Sequence, residues 1–90
     1  MADPDGSSPL AFPCEFPIKV MGRKAPRFAQ TVIDIVRRHA PDFDAATMEL
    51  RPSRQGTYLS VTCVIRATSR EQLDALYQEL CDHPSVVMAL

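Results

Sequence analysis

The side chains of this chain best suited to nucleophilic or metal chemistry are three cysteines and two histidines. Cys14, Cys63 and Cys81 show no paired spacing such as CxxC, so the sequence predicts neither a disulfide framework nor a zinc knuckle. Nucleophilic catalysis needs a thiol or hydroxyl beside a base that a third group orients, and the sequence indicates no such triad. Cys81 and His83 offer only two ligands for a metal. We therefore predict no catalytic residue, no metal site, no cofactor and no enzymatic activity.

A group of basic residues suits a different chemistry, the binding of a small anion. Ten basic side chains stand against eleven acidic ones, so the formal net charge of −1 gives no global attraction to nucleic acid or to an anionic membrane. Any anion site must then be local. The candidate site combines a glycine with basic side chains near one predicted helix start and two predicted turns: Gly22, Arg23, Lys24, Arg27, Arg54 and His83.

The spacing of apolar residues predicts a strand and a helix in the first half of the chain. Residues 16–21 alternate as in a strand, which Gly22 is expected to end. Pro26 suits the first turn of a helix, and Pro41 blocks its continuation. Between these prolines one side of the helix is mostly apolar: Phe28, Ala29, Val32, Ile33, Ile35, Val36, His39 and Ala40. His39 lies near the end of this helix and is predicted to be half-buried with its hydrogen bonds satisfied.

Two strands, a second helix and a last strand account for the second half of the chain. Residues 47–51 alternate before a turn in which Gly56 is expected to adopt a positive φ, and residues 57–68 place one continuous apolar row on a strand. Thr68 or Ser69 can cap the second helix, and Pro84 ends it. The predicted buried stripe of this helix is Leu73, Leu76, Tyr77, Leu80 and Cys81. Residues 86–90 then alternate in a last strand.

The order β-α-β-β-α-β is the split βαβ arrangement of ferredoxin-like domains. We predict an α+β sandwich with a four-stranded antiparallel sheet in the order 4-1-3-2 and both helices on one face. The domain is expected to span residues 12–90, because residues 1–11 have the composition of a disordered tail. The chain shows neither a long apolar stretch nor a signal-peptide pattern, so a cytoplasmic protein is predicted.

This topology predicts two surfaces. Right-handed crossovers bring the loop at residues 22–25, the hairpin at residues 53–56 and the turn at residues 82–84 to one end of the domain, which gathers the candidate anion site. The sheet face opposite the helices stays open. Its predicted residues mix apolar area with hydroxyls and charges, as protein interfaces do: Lys19, Met21, Tyr58, Ser60, Thr62, Val64 and Arg66. A homodimer through this face is the first prediction for a partner.

RNA binding is an alternative, because RNA-recognition motifs share the same order of strands and helices. Residues 54–58 loosely resemble the start of their third-strand motif. Those domains place several aromatic side chains on the open sheet face, whereas Tyr58 is the one aromatic predicted on it here. Nucleic acid is therefore the weaker prediction, and no membrane partner is expected.

Short segments spread from about Phe12 to the C-terminus follow the pattern of a known family. In the first half they are Phe12-Pro13, Phe16, Lys19-Val20-Met21-Gly22, Arg38-His39-Ala40-Pro41 and Pro52-Ser53-x-x-Gly56-x-Tyr58-x-Ser60-Val61. In the second half they are Ala67-Thr68, Glu71-Gln72, Leu76-Tyr77-x-Glu79-Leu80 and Val86-x-Met88-x-Leu90. On these segments the sequence resembles the YbeD family of small bacterial proteins. The resemblance implies a ferredoxin-like domain similar to the ACT-type regulatory modules of amino-acid metabolism.

The resemblance also bears on what the candidate anion site binds. ACT modules commonly bind amino acids at a glycine-containing loop after the first strand, and Gly22 occupies the corresponding place. The residues that follow it are cationic, which favours a carboxylate, a phosphate or an acidic protein surface. The leading prediction is a small non-enzymatic regulatory or adaptor module that acts through a protein partner or a small anionic ligand. The alternatives are an RNA-binding domain and an ACT-type sensor of an amino acid or metabolite.

Overall fold

The computed structural model describes residues 11–90, which form a four-stranded antiparallel sheet with two helices on one face. The strands are β1 (Cys14–Arg23), β2 (Glu49–Pro52), β3 (Tyr58–Ala67) and β4 (Val86–Ala89), and the helices are α1 (Phe28–His39) and α2 (Arg70–Asp82). A turn of 3₁₀-helix at Ala45–Thr47 precedes β2. The sheet order β2-β3-β1-β4 is the predicted order read from the other edge. The predicted ferredoxin-like α+β fold is therefore confirmed.

β1 and β3 are the long central strands of the sheet. Buried and exposed side chains alternate along both of them, as expected for strands with one face against the core. Their register runs from Cys14 opposite Ala67 to Arg23 opposite Tyr58, so the buried rows of the two strands lie side by side. These rows and the two helices enclose the core. Its fully buried large side chains include Ile18, Val20, Phe28, Val32, Val36, Val61, Ile65, Leu76 and Leu80. Burial of each such side chain contributes about 1.5–3 kcal/mol, which makes this core the main source of stability.

Each helix packs one apolar stripe against the sheet. The predicted α1 stripe is confirmed at its buried members, Phe28, Val32, Ile35 and Val36. In α2 the prediction holds for Leu73, Leu76 and Leu80, and Tyr77 packs half-buried against the core. Cys81 is exposed, so its place in the predicted stripe is wrong. It follows Leu80 by about 100° around the helix, which carries it beyond the face that the sheet covers.

The start of α2 is capped by side chains and fastened to the end of α1. The Gln72 N–H donates to the Ser69 side-chain oxygen at 3.0 Å, so of the two predicted candidates, Thr68 and Ser69, it is Ser69 that caps the helix. The Gln72 side-chain oxygen accepts the Thr68 N–H at 2.6 Å, and its amide nitrogen donates to the His39 carbonyl at 2.8 Å. One glutamine therefore completes the cap and connects the two helices.

The prediction that Gly22 ends the first strand is wrong, because β1 continues through it to Arg23. Gly22 pairs with Val86, which places it between the start of α1 and the chain that enters β4. A Cβ added to Gly22 would lie 2.3 Å from an edge atom of the Phe28 ring and 2.3 Å from the Ser85 carbonyl oxygen. The glycine is therefore required for close packing rather than for a loop.

The predicted tail, residues 1–11, lies outside the described residues except for its last one. Within residues 11–90, the longer of the two helices has 13 residues, and neither helix has the length and hydropathy of a membrane span.

Candidate functional site

The segments that carry the candidate anion site meet at one end of the sheet, as the topology predicted. The Lys24 N–H donates to the Thr57 carbonyl at 2.9 Å, which joins the β1–α1 loop to the β2–β3 hairpin that contains Arg54. On the other side of β1, Gly22 pairs with Val86 directly after the turn between α2 and β4. The hairpin, the loop and the turn are therefore adjacent, in that lateral order across the sheet.

The β2–β3 hairpin presents Arg54 at an exposed tip. Gly56 has a φ of 74°, which confirms the predicted left-handed residue in this turn. The Gly56 N–H donates to the Ser53 carbonyl at 2.9 Å, and the Tyr58 N–H donates to the Ser53 side-chain oxygen at 3.1 Å. The turn is thus fixed by its own short-range hydrogen bonds, and the Arg54 side chain extends from a defined backbone.

The start of α1 adds positive potential to this end of the domain. Arg27 is the N-cap residue, no side chain among the described residues caps the helix, and the first turn contains no acidic residue. A helix start carries roughly half a positive charge. Lys24 also lines an open depression of about 430 Å³ whose other lining residues are Ala25, Pro26, Ala29, Leu50 and Leu59. Lys24 and Arg27 therefore lie at a helix start whose first turn has no acidic residue, whereas Arg23 lies on the opposite face of the sheet, against Tyr58.

His83 lies at the same end of the sheet as Arg54 but near the opposite edge. β2 and β4 are the two outer strands, so β1 lies between the β2–β3 hairpin and the turn that contains His83. The His83 Nδ1 accepts the Ser85 N–H at 3.1 Å, and the His83 N–H donates to the Leu80 carbonyl at 3.2 Å. The structure thus uses His83 to shape the turn and separates it from the arginine side of the candidate anion site.

The sheet face opposite the helices, here called the open face, is a regular grid of side chains. The strand pairings define its rows: Arg51–Ser60–Met21–Met88, Glu49–Thr62–Lys19–Leu90, Val64–Pro17, Arg66–Glu15 and Tyr58–Arg23. All seven residues predicted on this face are in these rows: Lys19, Met21, Tyr58, Ser60, Thr62, Val64 and Arg66. Alternation along β1 and β3 was the signal that placed them correctly.

Basic residues outnumber acidic ones on the open face. Its rows contain four basic side chains, Arg23, Lys19, Arg51 and Arg66, and two acidic ones, Glu15 and Glu49, which gives a formal +2 on a chain of −1. Within residues 11–90, ion pairs closer than 4.0 Å involve only Glu79 and its two partners on α1. The charges of the open face therefore have no ion-pair partner among the described residues.

Polar and aromatic groups give the open face further binding capacity. An open groove of about 480 Å³ is lined by Lys19, Glu49, Leu50, Arg51, Ser60 and Thr62. The Arg23 guanidinium lies 5.9 Å from the centre of the Tyr58 ring, within cation–π distance. Apolar area is exposed beside these groups at Val64, Met88 and Leu90. The arrangement provides charge, hydroxyl and apolar contacts on one surface.

A cluster that sequence reasoning missed joins the two helices. The Glu79 carboxylate lies 2.7 Å from the His39 Nε2 and also accepts a hydrogen bond from the Arg38 guanidinium. The hydrogen bond from Arg38, followed by that involving His39, lowers the pKa of Glu79 below its ordinary value. His39 is half-buried with a partner, as predicted. Its partner was missed because Glu79 falls outside the apolar stripe of α2, and its role depends on how the helices pack.

The three cysteines differ in burial: Cys63 is buried, Cys14 is half-buried and Cys81 is exposed. Cys63 is completely buried, and this burial raises the pKa of its thiol to about 11, so it acts as the small core residue that the sequence predicted. Cys14, Cys63 and Cys81 are all free thiols. Among residues 11–90, no three histidine, cysteine or acidic side chains come together as metal ligands would.

A family model and curated relatives of similar length match this chain over most of its residues. The family model described as "Protein of unknown function (DUF493)" matches residues 7–90. A UPF0250 protein of Nitrosomonas europaea is 58% identical over 81 residues, which are 90% of this chain and 93% of that protein. A UPF0250 protein of Bordetella pertussis is 51% identical over 87 residues, which are 97% of this chain and 96% of that protein.

Solved structures agree with the fold. The solution structure of protein HP0495 from H. pylori has a TM-score of 0.77 at 13% identity and covers 100% of this chain and 94% of its own. The ACT domain from GTP pyrophosphokinase of Chlorobium tepidum has a TM-score of 0.63 at 14% identity and covers 84% of both chains. Likeness at these identities concerns the fold alone and supports the ACT-like assignment. The family model and the curated relatives together show that this chain belongs to the DUF493 family, whose UPF0250 members are the YbeD-type proteins that its sequence resembles.

Proposed function

We propose that this chain is a small non-enzymatic regulatory or adaptor module of the cytoplasm that binds an acidic surface of a protein partner through its open face. The observation that carries the proposal is the excess of basic side chains on that face, on a chain whose net charge is negative. Because these charges lack ion-pair partners among the described residues, an acidic surface can pair with them. The ACT-like fold is consistent with such a role.

The residues around these charges favour a protein over RNA. Tyr58 is the sole aromatic side chain in the rows of the open face, whereas single-stranded RNA is held by several stacked aromatics. Tyrosine and arginine are enriched among the residues that dominate protein interfaces, and Arg51 and Tyr58 lie beside the Ser60 and Thr62 hydroxyls on the same face. We expect Arg51 and Lys19 to contribute mainly to the rate of association and Tyr58 to the lifetime of the complex.

Quantitative capture of partners from a nuclease-treated lysate tests this function. The variant Lys19→Glu/Arg51→Glu reverses two charges on the open face, and the control Arg37→Glu/Arg70→Glu reverses two exposed charges on the helices. Proteins retained by the wild type and by the control, but lost by the open-face variant and by high salt, are the expected result. Equal retention by the wild type and the open-face variant contradicts the proposal. Retention of proteins from an untreated lysate that is lost after nuclease treatment would favour RNA instead.

A small anion at the basic end is the second candidate, because Lys24 and Arg27 lie at a helix start with no acidic residue in its first turn. The ligand would carry a carboxylate or phosphate group. Since binding to the folded state adds RT ln(1+[L]/Kd), a ligand at ten times its Kd stabilises by about 1.4 kcal/mol, or roughly 6–11 °C in Tm for a domain of this size.

A thermal-shift series at constant ionic strength tests the anion candidate with inorganic phosphate, pyrophosphate and citrate as probes. We expect the wild type and Arg37→Ala to be stabilised and Lys24→Ala to lose the shift, because Arg37 lies at the other end of α1. A flat series, or a shift that survives Lys24→Ala and Arg27→Ala together, contradicts this candidate and leaves the protein-binding proposal untouched.

A further inference from the structure

The two edge strands of the sheet differ in how they are protected against pairing with another chain. β2 carries Glu49, Arg51 and Pro52, and charges and prolines are common means of blocking an exposed edge. Residues 86–90, which contain β4, read Val-Val-Met-Ala-Leu and include neither a charged side chain nor a proline. Three of these side chains are well exposed: Val87 at 57%, Met88 at 44% and Leu90 at 66%. The β4 edge is therefore apolar, and nothing within residues 11–90 covers it.

The backbone of β4 also offers hydrogen-bonding groups at this edge. The Lys19 N–H donates to the Leu90 carbonyl at 3.0 Å, and the Leu90 N–H donates to the Lys19 carbonyl at 2.8 Å. In an antiparallel pair of strands, the residues next to such a doubly bonded pair point their N–H and C=O groups away from the partner strand. Ala89, which lies opposite Val20, therefore directs both groups away from β1.

We propose that β4 pairs antiparallel with β4 of a second copy of this chain, about a two-fold axis at Ala89. The two Ala89 residues exchange their outward N–H and C=O groups. Met88 of each copy then lies opposite Leu90 of the other copy, on the open face. The product is a continuous eight-stranded sheet with all four helices on one side.

The side-chain pattern of β4 fits a second copy because it is symmetric about Ala89. A two-fold axis through one residue brings its preceding neighbour opposite its following neighbour. Here both neighbours, Met88 and Leu90, are large, exposed and apolar, and both are on the open face beside Met21 and Lys19. The pairing places no like charges opposite each other, and the small Ala89 side chains meet on the helix side without crowding.

Helix α2 extends this apolar edge on the helix side of the sheet. Its side facing α1 is identified by Glu79 and Gln72, which bind residues of α1. Tyr77 and Cys81 lie two positions from Glu79, about 200° around the helix, and are therefore turned away from α1. Arg70 and Asp74 share this side of α2, so the helix, which packs against β4, adds apolar area beside the edge only at Tyr77 and Cys81.

Sedimentation velocity over a concentration series tests the interface with a matched pair of variants. Met88→Lys and Leu50→Lys each place a positive charge on an edge strand. Met88 is 44% exposed and Leu50 is 52% exposed, so neither substitution disturbs the core. We expect the wild type and Leu50→Lys to form dimers as concentration rises and Met88→Lys to remain a monomer with an unchanged circular-dichroism spectrum. A wild type that stays monomeric throughout the series overturns the proposal.

Disulfide trapping tests the register. In a Cys14→Ser/Cys81→Ser background, with the buried Cys63 retained, Ala89→Cys places two thiols in a hydrogen-bonded pair whose Cα atoms are about 5.5 Å apart, within disulfide range. Oxidised glutathione accepts the two electrons and two protons and leaves as two reduced glutathiones. We expect covalent dimers for Ala89→Cys and little product for the control Leu50→Cys. Equal yields of covalent dimer from Ala89→Cys and Leu50→Cys overturn the register. In sedimentation velocity, loss of the dimer in Thr62→Lys but not in Met88→Lys would place the contact on the open face and overturn the proposal.

Discussion

Replacement of Gly22 by alanine is the sharpest test of how the basic loop is held against the core. The added Cβ would stand 2.3 Å from the Phe28 ring and 2.3 Å from the Ser85 carbonyl oxygen, far inside van der Waals contact. Phe28 is only 2% exposed, so its ring has no space to turn into solvent, and the Ser85 oxygen belongs to the backbone that leads into β4. Overpacking of a core lowers the free energy of unfolding by about 1–3 kcal/mol, and because the added Cβ would make two such contacts, we expect a loss of about 3 kcal/mol for this variant.

Urea unfolding measures this loss directly. We expect a free energy of unfolding lower by about 3 kcal/mol with an unchanged m-value. In thermal unfolding, the same loss corresponds to a Tm decrease of roughly 12–24 °C for a domain of this size. Gly56→Ala is the matched control, because a Cβ there meets nothing within 4 Å and only the left-handed φ of 74° is strained. That strain costs about 1–2 kcal/mol. Gly22→Ala should therefore be the more damaging of the two substitutions.

A double mutant separates close packing from other effects of the substitution. Phe28→Leu removes the ring atoms that the new Cβ would meet, although the Ser85 contact remains. The combination of Gly22→Ala with Phe28→Leu should therefore be less destabilising than the sum of the single changes by about 0.5–3 kcal/mol. Additive effects, or a Gly22→Ala protein within about 0.5 kcal/mol of the wild type, would refute the account of this glycine.

Three further substitutions examine the helix cluster, the core and the cap. Glu79→Gln should flatten the pH dependence of stability on the acid side, because hydrogen bonds from Arg38 and His39 lower the pKa of Glu79 in the folded state. The stabilisation by Glu79 is therefore complete above its pKa in the unfolded state and is lost as the pH falls through its pKa in the folded state. At most one proton is taken up at this site. Cys63→Ser buries a hydroxyl at a fully enclosed position and should cost about 1–3 kcal/mol in urea unfolding. Ser69→Ala removes the cap of α2 and should cost about 1 kcal/mol by the same assay.

Local pattern was sufficient to predict the fold and the open face. Alternation along β1 and β3 identifies which side chains face the helices, because a strand has a period of two residues whatever packs against it. Thr62 and Val61 are neighbours in sequence, yet one is on the open face and the other is fully buried. Ser69 was predictable as a cap for a similar reason, since the capping box depends on residues only three positions apart.

Contacts between distant segments were beyond the same reasoning. Gly22 resembles a strand terminator in sequence, but its role depends on Phe28 and Ser85, which the tertiary fold brings to either side of it. Glu79 resembles a solvent-facing residue of α2, but the packing of the helices brings it to His39. The lateral order of the strands likewise separates His83 from Arg54, although both are at the same end of the domain.

The two proposed surfaces are continuous, and this continuity makes a prediction that neither makes alone. Leu90 belongs both to the open-face row of Lys19 and to the β4 edge. Across the proposed two-fold axis it meets Met88 of the second copy, whose row continues to Arg51 of that copy. Pairing through β4 would therefore join two basic faces into one surface of formal charge +4.

An acidic partner that spans both copies should then depend on the dimer as well as on the charges. Met88→Lys adds a positive charge to the open face, so simple electrostatics predicts stronger capture of an acidic partner by the monomeric variant. Dependence on the dimer predicts the opposite, weaker capture at every salt concentration, because avidity between two linked faces is lost. We expect weaker capture, measured beside Leu50→Lys, which adds the same charge at the other edge and leaves β4 intact. Stronger capture by both variants would show that a single copy is sufficient to bind the partner.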